Sequence, residues 1–277
     1  MPAEWTSLVI QVLGALILIA TVRLSAVTAG AAGASAAGQV SCAVVTALYL
    51  PLVNWSLQGT EVAILALLAL LAARNAIALI AGQRESVVDV YLPLAIGLFV
   101  RPDAAIVYGA TALVLLVEDG RNRWRHLLVG GGIGAACLVA ISLFRVEYFG
   151  DLLPNTYYLK MYGIPIALRL ARGFYVAMGF VWGLGLPVVA AALIAPFFIS
   201  NPAVRILAAQ FVAQLAYGLW VGGDAWEWWG SRYVTVVMPG FFVLLAVLAS
   251  AAMRSLASDA PGMTMRGARQ SLIWWVG

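Results

Sequence analysis

Charge is what this chain of 277 residues has least of. Asp, Glu, Lys and Arg make up 10% of it, against 64% hydrophobic residues. It has a single lysine, Lys160, and a single histidine, His126. Mean hydropathy is +0.97. A water-soluble fold of this length could not cover so much apolar surface with so few charges, so composition excludes a soluble domain. The formal net charge of +4 is small. No block of Lys and Arg interleaved with aromatics covers a polar stretch, so a nucleic-acid partner is excluded too. Cysteine is almost as scarce: Cys42 and Cys137 lie in apolar runs without CxxC or metal-ligand spacing. They read as small core residues, and no metal site or cofactor is expected.

What is present instead is apolar sequence in runs close to the ~20 residues that cross a bilayer. The runs fall at roughly 7–27, 36–55, 61–82, 87–100, 104–117, 127–145, 173–199, 203–221 and 233–253. They predict an all-α polytopic integral membrane protein of about nine transmembrane helices, a single transmembrane domain over residues 1–277. The fourth and fifth runs are short, which predicts a tight hairpin or an extension into the neighbouring loops. Ala- and Gly-rich sequence from Ala29 to Gly38 suits close helix packing.

Arginine sets the expected direction. Arg121, Arg123 and Arg125 crowd the short loop Glu118 to His126, the strongest cytoplasmic signal in the chain. Counting crossings outward places ten arginines on that side. Arg101, Arg145, Lys160, Arg169, Arg172 and Arg232 fall on the other. On this reading the N-terminus starts outside without a signal-peptide pattern, and a new apolar run begins at Ser271, so a fragment of a longer protein is expected. His126 lies in the basic loop with no partner visible in sequence.

Four polar stretches then share the non-cytoplasmic face. The first, "YFGDLLPNTYYLK", holds Asp151, Asn155, Tyr158 and Lys160; Gly150 allows a sharp turn, and Pro154 breaks the helix. Two readings stay open for it: a site, or an interfacial re-entry with Lys160 snorkelling and Asp151 capping. The segment Gly163 to Phe174 that follows, with Arg169 and Arg172 three apart, predicts a short helix lying in the membrane surface. In "GGDAWEWWGSRY", Gly222 and Gly223 precede Asp224, with Trp228, Arg232 and Tyr233 beyond. Indole faces stack on sugar C–H faces, a carboxylate accepts hydroxyl protons, and arginine clamps phosphate. An aromatic belt with an Asp224–Arg232 pair is the structural alternative. "RPD" brings Arg101 and Asp103 into the same layer, where an ion pair is the simpler reading. In "NWSLQGTE", Thr60 and Glu61 suit the start of the third span.

The order of these motifs, W-S-L-x-G-x-E, R-P-D, F-G-D-L-L-P-N-T-Y-Y-x-K and G-G-D…R-Y…P, resembles the polytopic GT-C glycosyltransferases. More narrowly, it is similar to bacterial members of the terminal arabinofuranosyltransferase and flagellar motor control kinds. The match runs from Trp55 to Pro239. The resemblance implies an enzyme of the bacterial cytoplasmic (inner) membrane, with membrane lipids around it and a polyprenyl-phosphate-linked sugar donor. The acceptor is an extracytoplasmic glycan, lipid or protein. It implies catalytic roles for Asp224 and Asp151, and donor or acceptor binding by Glu61, Arg101, Asp103, Asn155, Tyr158, Lys160, Trp228, Arg232 and Tyr233. The family's principal acids sit in a first outer loop that has no counterpart here, so transfer is expected to need an upstream span and acidic loop. A transporter or lipid flippase is the rival reading, but its ionisable groups belong near mid-membrane, where only Gln210 and Gln214 lie. A non-catalytic scaffold derived from such an enzyme is the second rival.

Overall fold

A computed structural model describes residues 3–223 and 231–259, and every regular element among them is a helix. In chain order these are α1 (Ala3–Ala31), α2 (Ala36–Leu48), α3 (Leu50–Leu57), α4 (Val62–Ile80), α5 (Val88–Val100), α6 (Ala105–Glu118) and α7 (Arg123–Arg125). After a π-helical turn at His126–Gly130 come α8 (Gly131–Phe149), α9 (Asn155–Lys160), α10 (Ile166–Leu184), α11 (Leu186–Phe198), α12 (Pro202–Val221), α13 (Arg232–Thr235) and α14 (Met238–Asp259).

The chain is an all-α multi-pass membrane protein. Among the described residues five helical stretches are long and apolar enough to cross a membrane, or up to seven if each of two bent pairs is one span. Each of the nine expected runs corresponds to a helix or a helix pair, but the helices do not all have the length of a span. α5 and α6 have 13 and 14 residues and form the expected hairpin around a 3₁₀ turn at Pro102–Ala104. At 1.5 Å per residue each covers only ~20 Å of a ~30 Å hydrocarbon core. The second run is broken at Tyr49, with a bend of 52° between α2 and α3, where Pro51 withholds an N–H from the ladder. The seventh is broken at Gly185, whose φ of 92° is open only to glycine, and α11 leaves α10 at 98°. The segment Gly163 to Phe174 is not a separate surface helix: from Ile166 onward it is the first part of α10.

α4 is the centre of the bundle. Small residues on it (Ala66, Ala69, Ala72, Ala73 and Ala76) are fully or nearly fully buried and let α1, α5, α12 and α14 approach closely. Hydroxyls within the helices are satisfied by carbonyls one turn back, as with Thr46 on Cys42 and Thr111 on Val107. α1, α8 and α10 expose Leu16, Phe144 and Phe174, as lipid-facing surfaces do.

Long-range bonds divide the loops between two ends. At one, Asn201 donates to the Ala32 carbonyl, Arg254 to the Gly33 carbonyl, Arg205 pairs with Glu118, and Arg125 reaches the Glu85 carbonyl. At the other lie Glu61, Arg101, Lys160 and Tyr233. Residues from all four stretches expected to share a face, Glu61, Arg101, Lys160 and Tyr233, therefore meet at one end of the bundle.

Candidate functional site

At the second end, helix ends far apart in sequence meet. Arg101 follows the last turn of α5, and Pro102 stops that helix so that the side chain turns back over the bundle. Its Nη1 donates to Glu61 Oε1 at 2.8 Å, and its Nε pairs with Asp103 Oδ1. Glu61 opens α4, where a carboxylate also suits the positive end of the helix. Burial pushes the Glu61 carboxyl up, but the Arg101 hydrogen bond and the charges of Arg101 and Arg232 outweigh it, leaving the group below its usual range. Thr60 does not cap α4: its hydroxyl donates to the Trp55 carbonyl at 2.9 Å.

Tyr233 is the hub. Its ring is buried, with Arg101, Lys160 and Arg232 placed 5.5, 5.5 and 6.0 Å from its centroid. Its hydroxyl accepts from Lys160 Nζ at 3.3 Å, and its carbonyl accepts from Gln214 Nε2 at 3.0 Å. Arg232 lies 3.8 Å from Glu61 Oε1 and 5.9 Å from the Trp55 ring. Among the buried polar atoms here without a hydrogen-bond partner among the described residues are Asp103 Oδ2 and Trp55 Nε1. One is an acceptor and the other a donor, and such atoms in a folded protein call for an explanation.

Six of the expected site residues are thus brought together: Glu61, Arg101, Asp103, Lys160, Arg232 and Tyr233. Asp151 and Tyr158 form a separate pair. Tyr158 donates to Asp151 Oδ1 at 2.9 Å, and the same oxygen accepts from Leu153 N at 3.1 Å. The Leu153 N–H and the Tyr158 hydroxyl hold this carboxyl below the usual range, which suits it to accept hydroxyl protons in hydrogen bonds better than to abstract them. Asp151 does not share a helical face with Asn155, because α9 begins at Asn155, which is exposed. Asp224 and Trp228 lie outside the described residues. An apolar cavity of about 10 Å³, room for one water, lies beside the hub and is lined by Gly173, Phe180, Gly223, Ser231 and Val234 among others. A wide groove of about 720 Å³ runs between Thr6, Ser7, Ile10 and Gln11 of α1 and Leu57 and Gln58 at the end of α3. Among the described residues no group of three or more His, Cys, Asp or Glu side chains could hold a metal ion.

Sequence reasoning missed His126. It is 2% exposed and fully partnered, with Nε2 3.1 Å from Asp119 Oδ2 and Nδ1 3.2 Å from the Tyr91 hydroxyl. Asn122 donates to both Asp119 oxygens. The π-helical turn at His126–Gly130 carries the imidazole inward, and the Tyr91 ring leaves no room for a side chain at Gly130. Burial raises the Asp119 carboxyl, but the Asn122 and His126 hydrogen bonds lower it further, so its folded value lies below the unfolded one. Its contribution to stability is therefore full above the ordinary carboxylate range near pH ~4 and disappears as pH falls through the lowered value. Asp119→Asn is expected to lower stability at pH 7 and to flatten the acid limb of a detergent unfolding series between about pH 5 and 2. An unchanged acid limb would show that Asp119 is not the group responsible.

Comparison with family models, with curated proteins and with solved structures finds no match for this chain.

Proposed function

We propose that this chain is the core of a bacterial inner-membrane glycosyltransferase that takes a sugar from a polyprenyl-phosphate donor. The observation that carries this reading is the meeting of Arg101, Lys160 and Arg232 on Tyr233, from three stretches to which the resemblance assigns donor or acceptor binding. A polyprenyl tail stays in the bilayer, so its phosphate must be met at an end of the bundle, where these cations lie. Arg101, tied to Glu61 and Asp103, positions the tyrosine. Lys160 and Arg232 meet the phosphate and offset its charge as the bond from sugar C1 to the phosphate oxygen breaks. The Trp55 N–H is a further donor to that phosphate, and Asp103 Oδ2 accepts a sugar hydroxyl. Asp224 and Trp228, which precede Arg232 in sequence, supply the carboxylate and stacking face. One carboxylate takes the acceptor hydroxyl proton as that oxygen attacks C1. Asn155, Asp151 and Tyr158 are assigned to sugar or acceptor hydroxyls, as the resemblance implies.

The buried glutamines do not favour transport: Gln210 donates to Thr111 and Gln214 to the Tyr233 carbonyl, so both amide nitrogens are occupied by the fold. The test is binding of a polyprenyl-phosphate sugar to the full chain in uncharged detergent. Arg232→Ala is expected to weaken it by about 1.5–3 kcal/mol, the worth of a charge-assisted contact. Phosphate-free polyprenol should bind poorly to both proteins. Equal binding of polyprenol and its phosphate, or equal binding to wild type and variant, would remove the reading.

A further inference from the structure

We propose that Arg169, on the first turn of α10, holds the phosphate of a membrane lipid, at a position separate from the Tyr233 hub. Arg169 is 8% exposed, yet it makes no ion pair among the described residues. Among the described residues its Nε is buried without a hydrogen-bond partner, and its Nη1 has only a long contact of 3.5 Å to the Met161 carbonyl. The ion-paired carboxylates are engaged elsewhere: Glu61 and Asp103 on Arg101, Asp89 on Arg84, Glu118 on Arg205 and Asp119 on His126. A guanidinium cannot shed its proton on burial, so an anion must neutralise it. The guanidinium lies over the Trp220 ring, 4.4 Å from its centroid, and a single indole face offsets only part of the desolvation cost.

Two features show what the anion is. α10 begins without a side-chain cap, so the first-turn N–H groups lack a capping side chain, and Arg169 stands on that same turn. Helical side chains lean toward the N-terminus, and Arg169 does so in reaching Met161. Around it the helix exposes Ile166, Leu168, Leu170 and Phe174, and Trp220 is itself 46% exposed. An anion arriving at Arg169 therefore comes with apolar chains beside it, as a phospholipid headgroup does. The left-handed glycine at 222 packs against the Arg169 stem, which fixes the side chain against α12.

The experiment uses the full chain, delipidated in dodecyl maltoside and titrated calorimetrically with dioctanoyl phosphatidylglycerol, dioctanoylglycerol and inorganic phosphate. Phosphatidylglycerol should bind and dioctanoylglycerol should not. Arg169→Gln should weaken phosphatidylglycerol binding by about tenfold or more. Arg169→Lys keeps the charge for folding but loses the planar fork, and should weaken binding severalfold; Trp220→Leu should do the same. Undiminished binding by the Arg169 variants overturns the proposal. Inorganic phosphate binding as tightly as the lipid overturns the lipid as the source of the anion. Binding that appears only in Asp224→Asn would show that Asp224 already neutralises Arg169, and that also overturns it. None of these results depends on sugar transfer, so the glycosyltransferase reading stands or falls separately.

Discussion

Arg101→Ala is expected to destabilise the folded protein by about 3–5 kcal/mol, the cost of breaking a buried ion pair by removing one partner. Two carboxylates lose their counter-charge at once, because Arg101 pairs with both Glu61 and Asp103. Both acids are well shielded, with side chains 27% and 11% exposed, so water replaces the guanidinium poorly. Arg232, 3.8 Å from Glu61, retains part of the attraction and places the effect toward the lower limit. The measurement is a reversible unfolding titration in mixed detergent followed by circular dichroism. Adding Glu61→Gln and Asp103→Asn to the Arg101 variant should recover most of the loss, since the cost lies in stranded charges. A single-variant effect below about 1 kcal/mol would place these pairs among exposed surface ion pairs and remove their role as the frame of the site.

That frame was only partly legible in the sequence. "RPD" showed that Arg101 and Asp103 stand two residues apart across a helix-ending proline, and the two do pair. Nothing local could show that Glu61, forty residues earlier, completes the arrangement, because its place at the start of a span already has an ordinary explanation in helix capping. Lys160 and Tyr233 were each visible as polar residues at span ends, but their contact spans 73 positions of sequence. The helical class followed from composition. The bends did not: Gly185 and Tyr49 sit inside runs that read as continuous, and an apolar run carries no record of its direction. Arg169 was misread for a physical reason. An arginine among Ile and Leu near a proline has the pattern of a surface helix, and only packing against α12 distinguishes the two. Small residues at Gly173 and Gly222 were the available signal for that packing. For His126 the signal was Asp119, seven positions earlier in the same loop.

The largest steric effect expected is at Gly173. A Cβ built there would lie well inside van der Waals contact of the Leu219 carbonyl oxygen, carbon and Cα, all of them backbone atoms of α12. A flexible side chain could rotate away, but helix backbone cannot, so α10 must move as a body. Overpacking of this kind costs about 1–3 kcal/mol where side chains yield, and more where they cannot. Gly173→Val adds two further methyl groups and should exceed that range, leaving little folded protein after detergent extraction at 37 °C. Gly173→Ala should be recoverable in milder detergent. The moderate variant is the informative one, because Arg169 stands one turn before Gly173 and Trp220 next to Leu219. Pushing α10 off α12 lengthens the 4.4 Å stack between them and opens the small cavity lined by Gly173 and Gly223. Gly173→Ala is therefore expected to lose phosphatidylglycerol affinity together with stability, while polyprenyl-phosphate binding at the Tyr233 hub falls much less. Equal loss at both positions would mean that α10 carries the hub as well. No loss of stability in either variant would mean that α10 and α12 do not approach as closely as the glycine implies.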